Sequence, residues 1–152
     1  MKKIPLGISG RHIHLSKEHL EVLFGKNYEL TKFRDLSQPG QFACEEKVDV
    51  LSPAGRELNG VRILGPTRVE TQLEISRGDA IRGKFEAPVR SSGNIKGSGS
   101  ATIIGPKGKV ELKEGVIVAD RHIHFSEEDA KEFNVKDGDV VTIEVDKIGT
   151  LE

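Results

Sequence analysis

The sequence has little of several residue types, and each shortage excludes a class of protein. Its 152 residues include one cysteine, Cys44, which excludes an internal disulfide and suits a reducing cytoplasm. No apolar run approaches the roughly 18 residues of a membrane-spanning helix, and Met1–Pro5 lacks the apolar stretch of a signal peptide. The 23 Lys and Arg residues nearly balance the 24 Asp and Glu residues, so no global field would attract nucleic acid. These shortages predict a cytoplasmic protein with neither membrane nor nucleic acid as a partner.

Glycine, by contrast, is abundant, with 17 residues spread along the chain. Short apolar strands alternate with tight turns, as in the hairpin predicted for residues 101–104 and 109–112 around Gly105-Pro106-Lys107-Gly108. Regularly spaced short strands predict a mainly β fold of barrel or sandwich type. Helix is expected only at about residues 16–24 and 126–133, and the Ser- and Gly-rich residues 91–100 are expected to form a flexible loop.

The motif RHIH-x-S occurs twice, at residues 11–16 and 121–126. Each copy carries two histidines at i and i+2, which an extended strand points to one face. Two imidazoles on one face can close on a metal ion, and Zn²⁺ is the default for such ligands. The repetition predicts a pseudo-duplicated metal-binding scaffold, with further ligands needed to complete each site. The four histidines are His12, His14, His122 and His124.

Both copies are expected to continue into a short helix. Ser16 and Ser126 are plausible N-caps, and Gly25 is a plausible C-cap of the first helix. The fifth histidine, His19, is expected on the surface of that helix. Cys44 has no neighbouring group in sequence that would activate it, so a catalytic thiol is not expected.

Three arginines stand near the motifs. Arg11 and Arg121 precede the histidine pairs and are interpreted either as surface ion pairs or as anchors for a substrate anion. Arg90 opens the flexible loop, where it is either a phosphate ligand or a plain loop residue. Arg90 and Arg121 are therefore candidate substrate- or cofactor-binding residues.

Residues 69–76 alternate in polarity and predict a strand, whose polar face comprises Glu70, Gln72 and Glu74 with Arg68 just before them. Glu74 could supply a carboxylate to a metal, and Arg68 could bind a phosphate or oxyanion. A solvated strand face would show the same alternation. Six residues of straight strand span roughly 20 Å, so Arg68 and Glu74 can share a site only if the chain bends or the ligand is long. The face opposite these polar residues comprises Val69, Thr71, Leu73 and Ile75.

Four segments together resemble a known family. RHIHLS near the start, GPTRVETQLEIS in the middle, APVRSSG after it and then GVIVADRHIHFS closely resemble the PduL-type phosphate acyltransferases, or phosphate propanoyltransferases. The match covers nearly the whole chain, in order. The resemblance implies reversible transfer of a short acyl group, propanoyl or acetyl, between coenzyme A and phosphate, as in propanediol degradation. Acyl-CoA and phosphate would then be the partners.

The resemblance also implies a fold and a set of ligands. Members have two β-barrels with a dinuclear zinc site at their junction. One zinc would be held by His12, His14 and Glu74, and the other by His122 and His124, while Arg68 would bind the attacking phosphate. The barrels would comprise residues 11–118 for the central one, and residues 1–10 with 119–152 for the second.

One departure from the family concerns the second barrel. Members continue into a segment with a further histidine ligand, whereas this sequence stops at Glu152, so the second barrel and its zinc site are expected to be incomplete. The N-terminus shows no targeting extension for bacterial microcompartments, and the oligomeric state stays open, a homo-oligomer included.

Three other functions compete with this interpretation. A cupin-like oxidoreductase or isomerase also uses H-x-H followed by Glu, a spacing that Glu18 and Glu128 match. The expected N-caps would instead place both glutamates in helices. An amidohydrolase barrel needs about 250 residues and is discounted. A non-enzymatic barrel stabilised by zinc is the third alternative.

Overall fold

Six strands of 3 to 11 residues close into a β-barrel, one of the two architectures that the strand pattern predicts. The computed structural model describes residues 10–145 and 149–151, together with residues 4 and 7, and divides into two units, residues 1–120 and 121–152. The helices are α1 (Lys17–Phe24), α2 (Arg77–Gly83) and α3 (Glu127–Phe133). The strands are β1 (His12–His14), β2 (Lys32–Asp35), β3 (Phe42–Leu51), β4 (Glu57–Gly65), β5 (Gln72–Glu74), β6 (Val89–Arg90), β7 (Gly99–Ile104), β8 (Lys109–Ala119), β9 (Ile143–Val145) and β10 (Gly149–Leu151).

The barrel runs β3-β4-β1-β5-β8-β7 and returns to β3. Strand β1 pairs parallel to β4 and antiparallel to β5, and β5 pairs parallel to β8. The β7–β8 hairpin closes the barrel onto β3, and the two strands β2 and β6 lie beside β3 and β8. Closure removes the exposed edges that an open sheet of this size would present. The prediction of a mainly β fold is confirmed.

Alternate residues of these strands build the core. At the closing pair of strands, Val50 lies opposite Ile103, and both are fully buried. Ile13 of β1 lies opposite Leu73 of β5 and beside Ile63 of β4, and these three are also fully buried. Burying each such side chain contributes about 1.5–3 kcal/mol to stability. Side chains that alternate with this apolar set point away from the core, and on β1 and β5 they are polar.

Both predicted helices form with the expected caps. The Ser16 hydroxyl accepts a hydrogen bond from the His19 backbone N–H, and Gly25 donates its N–H to the Glu21 carbonyl at the end of α1. Ser126 caps α3 in the same way. Helix α1 packs onto the barrel through Leu20, Leu23 and Phe24.

Helix α2 was not expected from the sequence, and the prediction that helix is confined to two segments was wrong. The Ser76 hydroxyl accepts from the backbone N–H of Asp79, which satisfies a donor at the helix start. The serine–x–x–carboxylate spacing of Ser76 and Asp79 was the available signal, but the glycine between them favoured a turn.

The long alternating strand predicted over residues 69–76 is also shorter than expected. The chain bends at residues 66, 69 and 70, and only Gln72–Glu74 form β5. Val69, predicted on the apolar face, is 95% exposed because it lies in this bend. No helix within the described ranges is long and apolar enough to cross a membrane.

The second unit contains helix α3 and the antiparallel pair β9–β10. Its helix repeats α1, but residues 121–126 are not a strand, so the pseudo-duplication is local. Among residues 121–145 and 149–151 the strands form this one antiparallel pair, and the assignment of residues 119–152 to an incomplete second barrel stays a prediction. The assignment of residues 1–10 to that barrel stays a prediction, because most of them lie outside the described residues.

Candidate metal centre

The register of β1 against β5 brings three predicted ligands together. His12 lies opposite Glu74, and His14 lies opposite Gln72. Directly opposite residues on one face of an antiparallel pair have side chains within about 5 Å of each other. The i and i+2 spacing of both strands therefore places these four polar side chains on one face, away from the core.

The ligand atoms of His12, His14 and Glu74 lie within 4.8 Å of one another. Glu74 Oε2 is 3.4 Å from His12 Nε2, while His12 Nδ1 is 3.1 Å from the Gly10 carbonyl oxygen. With its proton on Nδ1, His12 donates to that carbonyl and keeps the Nε2 lone pair for a metal, as metal-binding histidines usually do. No other group of three such side chains lies this close among residues 10–145.

The buried surroundings set the charges of these ligands. Burial, reinforced by the charge of Arg68, lowers the pKa of His14 to about 4, so its imidazole is neutral at physiological pH. Burial opposes ionisation of Glu74, but the hydrogen bond and charge of His12, together with Ser92, outweigh it and lower its pKa to about 2. Neutral imidazole and an ionised carboxylate are the forms that bind transition metals.

One ring nitrogen of His14 lacks a hydrogen-bond partner. His14 Nδ1 is fully buried, and no group within the described part of the chain bonds to it. Buried polar atoms are rarely left unpaired, because the loss of hydration costs about 1–3 kcal/mol. The neighbouring nitrogen and oxygen ligands of His12 and Glu74 fit a zinc ion that would supply this partner.

Two residues that the sequence did not single out support Glu74. The Gln72 amide donates to Glu74 Oε1 at 2.6 Å, and the Ser92 hydroxyl donates to the same oxygen at 3.0 Å. Gln72 lies on the polar face of the alternating segment, for which a solvated face was the alternative interpretation, but its side chain is only 2% exposed. Its position two residues before Glu74 was a usable signal, whereas nothing local pointed to Ser92. The loop predicted to be flexible is thus bonded at Ser92 to a buried pair.

The bend in the chain brings Arg68 close to the side chains that surround Glu74. Its backbone N–H bonds to the Leu15 carbonyl at 2.9 Å, next to the end of β1. Its Nη1 lies 3.4 Å from Ser92 Oγ, the atom that also contacts Glu74. Burial lowers the pKa of Arg68, and Glu74 opposes that change, yet a guanidinium stays charged at neutral pH. The expected 20 Å separation of a straight strand therefore does not apply.

Of three other residues of the first unit that the sequence pointed to, Arg11 and His19 have structural partners, whereas Arg90 has a buried nitrogen without one among the described residues. Arg11 forms an ion pair with buried Asp79 at 3.0 Å, which matches the structural interpretation of Arg11. His19 Nδ1 is 2.7 Å from the hydroxyl oxygen of Thr71, so this half-buried histidine links α1 to the residue just before β5. Arg90 lies in β6, and its Nε is buried without a partner among the described residues.

Cys44 is buried and unreactive. Burial raises the pKa of its thiol to about 11, so almost no thiolate exists at neutral pH. The expectation that it is not a nucleophile agrees with this environment.

The two rings of the second histidine pair are arranged relative to each other much as those of the first pair are. The rings of His122 and His124 are 4.8 Å apart at 82°, and those of His12 and His14 are 5.2 Å apart at 89°. The second pair and Arg121 are exposed, unlike His14. The metal role of this pair and the binding role of Arg121 stay predictions.

The two glutamates that the cupin-like alternative requires lie in helices and not on strands. Glu18 lies in α1 and Glu128 in α3, both exposed, in the helices that Ser16 and Ser126 cap. Neither glutamate is in the cluster with His12 and His14. The carboxylate of the site comes instead from Glu74, on the strand paired with β1.

Known proteins are similar in sequence to this chain over almost its full length. A family model described as phosphate propanoyltransferase matches residues 5–151. Curated proteins named phosphate propanoyltransferase from Lachnoclostridium phytofermentans and Thermotoga maritima are 51% and 50% identical over 143 residues, or 94% of this chain. One from Clostridioides difficile is 47% identical over 142 residues, or 93% of the chain. The chain spans 67%, 68% and 68% of the lengths of these three relatives.

Proposed function

The chain belongs to the phosphate propanoyltransferase family, as its motifs predict, and we propose that it transfers a propanoyl or acetyl group between coenzyme A and inorganic phosphate with the help of zinc. The observation that carries the proposal is the cluster of His12, His14 and Glu74, joined through Ser92 to Arg68. It combines a metal-ligand set with a cation suited to phosphate.

The side chains of this face have distinct roles in the proposal. His12, His14 and Glu74 hold the zinc ion, and the buried Nδ1 of His14 supports this assignment. Bound zinc supplies Lewis acidity that stabilises developing negative charge on oxygen or sulfur. Arg68 binds the phosphate, because its planar fork matches two phosphate oxygens and its charge offsets theirs.

The reaction needs no covalent intermediate on the protein. A phosphate oxygen attacks the thioester carbonyl carbon, the C–S bond breaks, and the thiolate leaves as free coenzyme A while acyl phosphate forms. Cys44, the only thiol in the chain, is buried with a raised pKa and is a poor nucleophile. Acceleration would come from positioning phosphate against the thioester and from charge stabilisation.

The remaining predicted features belong to the same proposal. His122 and His124 would hold a second zinc ion, supported by their ring geometry, which is similar to that of the first pair. Arg90 and Arg121 would contact the anionic substrates. A cytoplasmic location is part of the proposal, because a single cysteine suits a reducing compartment.

Product analysis of the 152-residue chain tests the proposal. Propanoyl-CoA with phosphate and zinc should yield equal amounts of free coenzyme A and acyl phosphate, the latter trapped by hydroxylamine. Omitting phosphate should abolish release of coenzyme A, with no burst at the first turnover. A burst stoichiometric with protein would instead indicate an acyl-enzyme, and the absence of any phosphate-dependent release would contradict the proposed function and leave the zinc-stabilised binding barrel.

A further inference from the structure

The two oxygens of Glu74 have different surroundings. Oε1 accepts from two donors, the Gln72 amide at 2.6 Å and the Ser92 hydroxyl at 3.0 Å. Oε2 lies 3.4 Å from His12 Nε2. The lone pairs of Oε1 are thus largely committed to hydrogen bonds, and Oε2 is the oxygen that lies near the ring nitrogen of His12.

The Gln72 side chain cannot exchange its oxygen and nitrogen without loss. Its Oε1 accepts from the Gly93 backbone N–H at 2.7 Å, which requires that Nε2 faces Glu74. A flipped amide would set its oxygen against the Glu74 carboxylate and its NH2 group against the Gly93 N–H donor. Because Gln72 is buried, neither repulsion would be relieved by water.

The Ser92 hydroxyl uses its full hydrogen-bonding capacity at this point. It donates to Glu74 Oε1 and accepts from Gln72 Nε2 at 2.9 Å and from Arg68 Nη1 at 3.4 Å. A hydroxyl has one donor and two acceptor lone pairs, so these three contacts satisfy it completely. Ser92 is exposed at the surface, yet its oxygen joins the metal ligand to the phosphate arginine.

We propose that Gln72 and Ser92 are positioning residues that make Glu74 a one-oxygen ligand, with Oε2 directed at the metal and Oε1 held back. Ser92 also holds the Arg68 guanidinium in a fixed position relative to that ligand. The inference rests on the proposed function for its metal and its phosphate. It goes further in assigning two residues that do not touch the metal to the geometry of the site.

Measurements of zinc affinity distinguish the proposed positioning role of Gln72 and Ser92 from a purely structural role. Zinc binding to the chelator-treated chain is measured by competition with a chromophoric chelator, without any substrate. Ser92→Ala and Gln72→Leu should each weaken zinc binding about 10- to 100-fold, the usual effect of removing a hydrogen-bond partner of a metal ligand. Ser92→Thr keeps the hydroxyl and should restore most of the affinity, and Ser91→Ala, at the neighbouring exposed serine, should match the wild type.

A second measurement separates the two residues. In the phosphorolysis assay at saturating zinc, Ser92→Ala should raise the KM for phosphate, because it also loses the contact with Arg68. Gln72→Leu should leave that KM close to the wild-type value while lowering kcat. X-ray absorption of the zinc-loaded wild type should fit one carboxylate oxygen in the first shell.

The results can overturn the inference separately from the function. Unchanged zinc affinity in both Ser92→Ala and Gln72→Leu, or a two-oxygen carboxylate ligand, would overturn it even if the wild type transfers acyl groups. Loss of affinity with intact thermal stability of the metal-free chain would support it even if no transfer is detected, in which case only the proposed function fails.

Discussion

At the scale of single residues, the site depends on groups held in one protonation state by burial or by their hydrogen-bonded and charged neighbours. His14 is neutral because burial and the charge of Arg68 lower its pKa to about 4. Glu74 is ionised, because the contacts with His12 and Ser92 outweigh its burial. His14 and Glu74 are therefore ready to bind a metal without first losing a proton in the neutral pH range.

The His14 pKa predicts how stability of the metal-free chain depends on pH. The unfolded imidazole gains a proton near pH 6.5, whereas the folded one does so only near pH 4. Stability from neutral His14 is complete above pH 6.5 and is lost as the pH falls toward 4. The wild type should lose roughly 3 kcal/mol more than His14→Asn between pH 7 and pH 4, since each tenfold change is worth about 1.4 kcal/mol. Urea unfolding at several pH values measures this, and parallel profiles would refute it.

Arg68 predicts a specific defect in phosphate use. Arg68→Lys keeps the positive charge but loses the two-pronged hydrogen bonding of the guanidinium. The KM for phosphate should rise about tenfold or more, because one good hydrogen bond to a charged group is worth about 1.5–3 kcal/mol, while the KM for propanoyl-CoA changes little. Arg56→Lys, an exposed arginine of the same barrel, serves as the control. Equal KM values for phosphate in all three proteins would show that Arg68 does not bind it.

At the scale of elements, sequence was informative where neighbours in the chain decide the structure. The strand alternation of His12 and His14 and the N-cap at Ser16 are local, and both are found. The bend before Gln72 and the contact of Ser92 with Glu74 were not predictable. They depend on hydrogen bonds between residues far apart in sequence, and no local pattern of residues indicates which of these bonds form.

The fit of β8 against the entry to β5 leads to a prediction at this scale. Gly115 has a φ of +130°, and a Cβ there would lie 2.7 Å from the Thr71 carbonyl oxygen. Gly25 has a φ of +112° with nothing within 4 Å of such a Cβ. Alanine at either position should cost roughly 1–3 kcal/mol for backbone strain.

Comparison of the two variants isolates the contact. Gly115→Ala should lose at least about 1 kcal/mol more than Gly25→Ala, because crowding a packed interior adds its own cost. It should also weaken zinc binding, since Thr71 precedes Gln72. Equal losses of unfolding free energy in the two variants would indicate that β8 and β5 fit less closely at Gly115.

At the scale of the whole molecule, a ligand that binds only the folded chain must stabilise it. Zinc at about 100 times its dissociation constant should add about 2.7 kcal/mol, which raises the unfolding midpoint by roughly 5–10 °C for a chain of this size. His12→Ala should lose most of this shift. His19→Gln should keep it, because His19 bonds to Thr71 and lies outside the ligand cluster. Scanning calorimetry with and without zinc measures the shift, and an equal shift in His12→Ala would place the zinc elsewhere.

The most direct test of the whole account is zinc titration of the chelator-treated chain during phosphate-dependent release of coenzyme A from propanoyl-CoA. The account predicts that activity is absent without zinc, rises as zinc binds, and is lost at every zinc concentration in Glu74→Gln, which keeps the shape of the side chain but not its charge. Full activity in the chelated wild type, or a Glu74→Gln variant that responds to zinc like the wild type, would contradict it.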